Sequence, residues 1–222
     1  MKFLLKLFKT IIGVLLIPFC LGAILILFKI IFASGSAWLT WLLIGAGFSI
    51  FCLMYFLLPR PDWIYVLGHE LTHALWSWSF GGSLRQIRVG SEGGHVITTR
   101  SNFLTSLAPY FFPLYVFAII VIYALGSFFW DLHKYSSVFY FLIGFAYAFH
   151  LTMTAYILKI DQPDIKQHGY IFSGVIIFLG NLLILILGIA MFGGGKNIFW
   201  LFGDWVKQSL EIYSNLIGLF GV

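Results

Sequence analysis

Long apolar runs constrain this chain more than any other feature. Residues 11–33, 37–58, 63–80, 101–130, 135–158 and 171–192 each hold about 20 mostly apolar residues, the length needed to cross a hydrocarbon core roughly 30 Å thick. Lipid offers no hydrogen bonds to an open backbone, so such runs are read as helices. Only 9% of the 222 residues are charged and 61% are hydrophobic, against about 25% charged in a soluble domain. The sequence therefore predicts an all-α membrane protein, a single polytopic domain of about six transmembrane helices.

The formal charge of +5 is a thin scatter of Lys and Arg in loops and termini. Phosphate binding needs cations clustered on one face, so the chain is not expected to bind nucleic acid. Cys20 and Cys52 fall inside apolar runs, where thiols behave as small hydrophobes. The start, MKFLLKLFKTIIGVLLIPFC, has a basic end and an apolar run but no small-residue cleavage site, which predicts a retained first helix. Lys2, Lys6 and Lys9 favour a cytoplasmic N-terminus, in the cell membrane, whereas Arg85, Arg88 and Arg100 on the nominal outside oppose that orientation. Residues 197–220 mix aromatic residues with Asp204, Lys207 and Glu211, as an amphipathic C-terminal helix on the membrane surface would.

Between the spans lie two polar stretches. RQIRVGSEGGHVITTR, 85–100, has short β-branched runs around a glycine-rich centre and predicts a small β-hairpin. KIDQPDIKQHGY, 159–170, is the second. Pro109 and Pro113 near the start of the 101–130 run should kink or unwind its first turns.

One of the apolar runs, WIYVLGHELTHALWSWSF, 63–80, carries ionisable groups. Residues four apart share a helix face, so His69 and His73 can aim their imidazoles at one point. This is the H-E-x-x-H arrangement, in which two imidazoles bind Zn²⁺ and Glu70 stands ready to take a proton from water. Bound zinc brings the pKa of a water from about 15.7 to about 7. A buried carboxylate costs about 2.5–3.5 kcal/mol even on the lenient insertion scale, so three such groups within five residues argue for a shared purpose. A catalytic site needs a third protein ligand. Trp76 and Ser79 stand where a metzincin would continue with Gly and His. Glu92 has a suitable separation but a glycine-rich, poorly helical setting. The remaining candidates are Asp164, Asp161 and His168. Pro163 keeps Gln162 out of helical geometry, so Asp164 should begin the next helix, held firmly and favoured by the helix dipole. His150, the one ionisable group of the 135–158 run, should face the bundle interior as a partner of the site or as a core histidine. Asn181 reads as an interhelical hydrogen bond, and Tyr110 as an interface anchor.

From about Trp63 to Asn181 these features together resemble the site-2 protease family of intramembrane zinc metalloproteases. The shared pattern is an HExxH helix in an apolar run, a glycine-flanked polar hairpin, a proline-containing helix start and an Asp after a proline. The resemblance implies a zinc cofactor held by His69, His73 and Asp164, Glu70 as base, and a transmembrane protein substrate cut within the lipid bilayer. It implies a divergent member, since Ala108-Pro109 stands where the family has Gly-Pro followed by Asn, and Ile165 follows Asp164 where the family has Gly. The alternative is an inactive helix-binding membrane protein or a metal transporter. Ligands gathered at one point disfavour a transporter, which needs them strung along a path.

Overall fold

The computed structural model describes residues 2–33, 37–90, 93–192 and 197–219. The expected turn at 34–36, the centre of the hairpin with Glu92, and the glycine run 193–195 with Lys196 lie outside the described residues. Two compact units are formed, one from Met1–Trp38 with Pro163–Val222 and one from Leu39–Gln162.

In the first unit α1 (Lys2–Leu15) and α2 (Ile17–Ala33) meet at a slight break. Pro18 has no N–H to give to the preceding turn, which explains the interruption at Leu16. α8 (Pro163–His168), α9 (Tyr170–Phe192) and α10 (Ile198–Leu219) complete the unit. α9 runs parallel to α1–α2: Lys9 bonds His168 at 2.6 Å, and Gly13 faces the Phe172 backbone. A side chain at Gly13 would stand 3.0 Å from the Phe172 Cα, so the close approach depends on glycine.

α10 forms as a helix where the mixed aromatic and charged residues of 197–220 predict one. It packs lengthwise on α2, with Trp205 Nε1 donating to the Phe19 carbonyl at 2.8 Å and Lys29 paired to Asp204 at 2.6 Å. Ser209 is wholly buried against Gly22. The polar residues that suggested a water-facing helix are in part used to fasten it to its neighbour.

The second unit holds α3 (Trp38–Leu57) from Leu39 onward, α4 (Asp62–Ser79), the antiparallel strands β1 (Leu84–Gly90) and β2 (Gly93–Thr98), α5 (Phe103–Leu107), α6 (Leu114–Ser127) and α7 (Ser136–Ile157). Leu84 pairs with Thr98 and Gln86 with Ile97, so a bulge falls at Arg85; the remaining pairs run in step to Gly90 and Gly93. The hairpin therefore forms as its alternation predicts, and it packs on α4.

Among the described residues four helices are long and apolar enough to cross a membrane, or up to five if the bent pair Phe103–Tyr110 and Leu114–Ser127 counts as one span. The HExxH helix, rich in polar side chains, is not among these. The bent pair turns by 83°. Pro109 and Pro113 do more than kink the run: a 3-10 turn at Ala108–Tyr110 and an irregular step to Pro113 separate α5 from α6. Leu107, Ala108 and Tyr110 at this break are completely buried. Irregular backbone within a membrane protein is tolerated where protein covers it, as here.

α3 and α7 touch backbone to backbone. A Cβ on Gly47 would overlap the Phe141 carbonyl, and one on Gly144 would overlap the Ile44 carbonyl. Phe51 wedges beside this crossing against Phe145 and Phe149 at 5.0 and 5.5 Å. Gly144→Val should lower stability by about 1–3 kcal/mol, the usual cost of overpacking. Gly45→Ala, with nothing within 4 Å of its new methyl, should be neutral or stabilising by about 1 kcal/mol. Thermal unfolding of both variants in detergent distinguishes a packing constraint from a general preference for glycine.

Candidate metal centre

α4 starts after Pro61 with Asp62 in its first turn, where a carboxylate suits the helix dipole. It ends in a Schellman motif: Gly81 adopts φ 73°, its N–H bonds the Trp78 carbonyl, and the Gly82 N–H bonds the Ser77 carbonyl, both at 2.8 Å. The helix is thus fixed at both ends, and the register of its side chains with it. Tyr65, Gly68, Glu70, Thr72 and Ser77 are its buried residues.

His69 and His73 converge as their spacing predicts. Their Nε2 atoms are 3.2 Å apart and their rings meet edge to face, with centroids 4.8 Å apart. Nδ1 of His73 lies 2.8 Å from the Thr105 carbonyl oxygen. A carbonyl only accepts, so Nδ1 carries the proton and Nε2 keeps its lone pair. Two imidazoles bound tetrahedrally at about 2.0–2.1 Å from zinc would hold their nitrogens about 3.3 Å apart. The observed separation fits that bite, and a carbonyl bonded to the distal nitrogen is what metal-binding histidines normally have.

Thr105 is presented by its own cap. Asn102 Oδ1 accepts from the Thr105 N–H at 2.8 Å and from its hydroxyl at 3.2 Å, holding the first turn of α5. The proline break then delivers Tyr110 to the other imidazole, with ring centroids of Tyr110 and His69 5.2 Å apart. Tyr110 is completely buried and donates to Gln162 Oε1 at 3.4 Å, and Gln162 Nε2 donates to the Ile157 carbonyl at 3.2 Å. The expectation of Tyr110 as an interface anchor is therefore corrected. Asn102, Thr105 and Tyr110 carry no motif; a buried cap and two prolines bracketing a tyrosine are the only local signals.

Glu70 is buried, 6% exposed, between the two histidines in sequence. His150 is also buried, and it lines a cavity of about 20 Å³ together with Tyr65, His69, Thr72, Tyr115 and Phe149. That volume matches about one water. His150 thus faces the bundle interior beside His69, as the cost of burying it implied. Tyr115 donates to the Ile64 carbonyl at 2.5 Å, closing the wall next to Gly68. Asp161 is exposed in the loop after α7. The backbone of His95 pairs with Arg88 in the hairpin.

Asp164 and His168 belong to α8 in the first unit, Asp164 in the opening turn as expected. His168 is buried and its Nδ1 accepts a hydrogen bond from the Lys9 ammonium. In the neutral ring Nε2 then carries the hydrogen, which leaves no lone pair for a metal. Burial and the charge of Lys9 push the His168 pKa down, and Asp164 opposes them. Asn181 donates to Ile177 in its own helix at 2.9 Å.

No family model, curated protein or solved structure matches the chain.

The cap beneath the His73 partner is open to test. Asn102→Ala should cost about 1 kcal/mol of stability and Asn102→Asp should retain most of it. Unfolding midpoints together with hydrogen exchange at the Thr105 amide check this; unchanged exchange in Asn102→Ala would show that the cap does not hold the turn.

Proposed function

We propose that this protein is an intramembrane zinc metalloendopeptidase in which His69, His73 and Asp164 bind the metal and Glu70 is the general base. The observation that carries the reading is the 3.2 Å convergence of two imidazole nitrogens, one of them locked in the metal-binding tautomer by the Thr105 carbonyl. Glu70, sequestered beside them, supplies the carboxylate such chemistry needs.

Chain continuity supports Asp164 as the third ligand. Gln162 is bonded to the tyrosine that packs on His69, and two peptide links reach at most about 7 Å further. His168, occupied by Lys9, is a poor competitor. Asp161, in the same loop, is exposed.

When bound, zinc supplies a Lewis acid for the scissile carbonyl and for the attacking water. Glu70 takes a proton from that water as its oxygen bonds to the carbonyl carbon. It then hands the proton to the amide nitrogen as the C–N bond breaks, so that the products are a carboxylic acid and an amine. The substrate is a membrane-spanning protein segment, unwound enough to present one amide. Lys2, Lys6 and Lys9 favour a cytoplasmic N-terminus in the cell membrane.

Purified gently, the wild-type protein should carry about one zinc per chain and cleave a model transmembrane substrate. Glu70→Gln should keep the metal and lose activity by about 10²-fold or more. Asp164→Ala should lower zinc occupancy, whereas His168→Gln and Asp161→Asn should leave it unchanged. Absence of zinc from the wild type, or an active Glu70→Gln enzyme, sinks the assignment.

A further inference from the structure

The position of α10 raises a separate problem of charge. Along α2 and α10 the contacts run in opposite order: Lys29 meets Trp200 and Asp204, Gly22 faces Ser209, and Phe19 meets Tyr213. α10 therefore travels the same depth as α2, antiparallel to it. Lys9 and Lys29 are separated by 20 residues, about 30 Å of helix, which is the thickness of the hydrocarbon core. Ser209, opposite Gly22, is then about 10 Å inside the level of Lys29, and Glu211 is deeper still. Yet the Lys207 and Glu211 side chains are 74% and 60% exposed, 3.9 Å apart. Charges left against acyl chains at that depth are expensive.

Lys207, Glu211 and Asn215 are exposed, and beside them lie the half-buried Asp204 and Gln208, the Gln208 Nε2 donating to Asp204 at 3.4 Å. Asp204, Gln208, Glu211 and Asn215 recur at spacings of four, three and four, the repeat of a helix–helix seam. With Lys207 and with Leu25 of α2 they line a groove of about 300 Å³. We propose that this stripe is the contact surface between two copies of the chain, related by a two-fold axis along the membrane normal. Such an interface must be self-complementary. Lys207 and Glu211 have opposite charge one turn apart, so each lysine of a parallel pair meets the other copy's glutamate. Gln208 and Asn215 each donate and accept, and so each can bond its own image. Copies inserted in the same sense hold each Lys207 within about 6 Å in depth of the other copy's Glu211, and set Gln208 and Asn215 level with their own images.

The test uses the full chain, with Cys20→Ser and Cys52→Ser, in lipid nanodiscs at high lipid excess. Mass measurement should show a dimer, and Gln208→Cys should crosslink to its copy on mild oxidation. Lys207→Glu should reduce the dimer fraction about tenfold, and the exchange Lys207→Glu with Glu211→Lys should restore it. Restoration also shows that the single variant had not simply misfolded. A monomeric chain in lipid, a Lys207→Glu variant that dimerises normally, or a Gln208→Cys thiol that reacts with a membrane-impermeant reagent and does not crosslink overturns the proposal; the last result would make the stripe the wall of a water-filled crevice.

Discussion

The hydrogen bond from His73 Nδ1 to the Thr105 carbonyl ties together most of the second unit. It joins the middle of α4 to the first turn of α5, across 32 residues and the intervening hairpin. It needs α4 stopped cleanly by Gly81, the hairpin to bring the chain back, and Asn102 to hold the α5 turn. It also chooses which imidazole nitrogen is left with a lone pair. A single bond of this kind contributes only about 1 kcal/mol net, so its importance is directional: it fixes a ring that would otherwise rotate.

The proline break is the second half of that arrangement. α5 is too short to be a span, and α6 leaves at a steep angle, so the buried residues between them can approach α4 from the side. A straight helix through 103–127 would show α4 one repeating face. The break shows it a carbonyl at Thr105 and an aromatic ring at Tyr110, each against a different histidine.

The parts of this design that obey a local period were legible in the sequence. The HExxH helix was expected at 63–80 and runs Asp62–Ser79; the hairpin and the break at Pro109–Pro113 lie where composition placed them. His69 and His73 converge because a helix repeat requires it. What escaped is long-range. Nothing periodic announces that Thr105 would partner His73, or that Tyr110 would be sealed against His69. The company kept by α1 and α2 escaped too, because it rests on single close approaches at Gly13 and Gly22, each against a residue more than 150 positions away. The partner of α10 escaped for a related reason: polar side chains normally signal water, and here Asp204 is paired to Lys29 and Ser209 is buried against the neighbouring helix.

The backbone contacts that Gly47 makes with Phe141 and Gly144 with Ile44 have a mechanical meaning. With each glycine seated on a carbonyl of the other helix, neither α3 nor α7 can slide or roll by a residue without driving a side chain into the main chain. The two helices act as one rail. His150 rides on that rail, so its wall of the single-water space beside His69 is fixed, whereas the wall at Leu114 and Tyr115 belongs to α6, which hangs from Pro113.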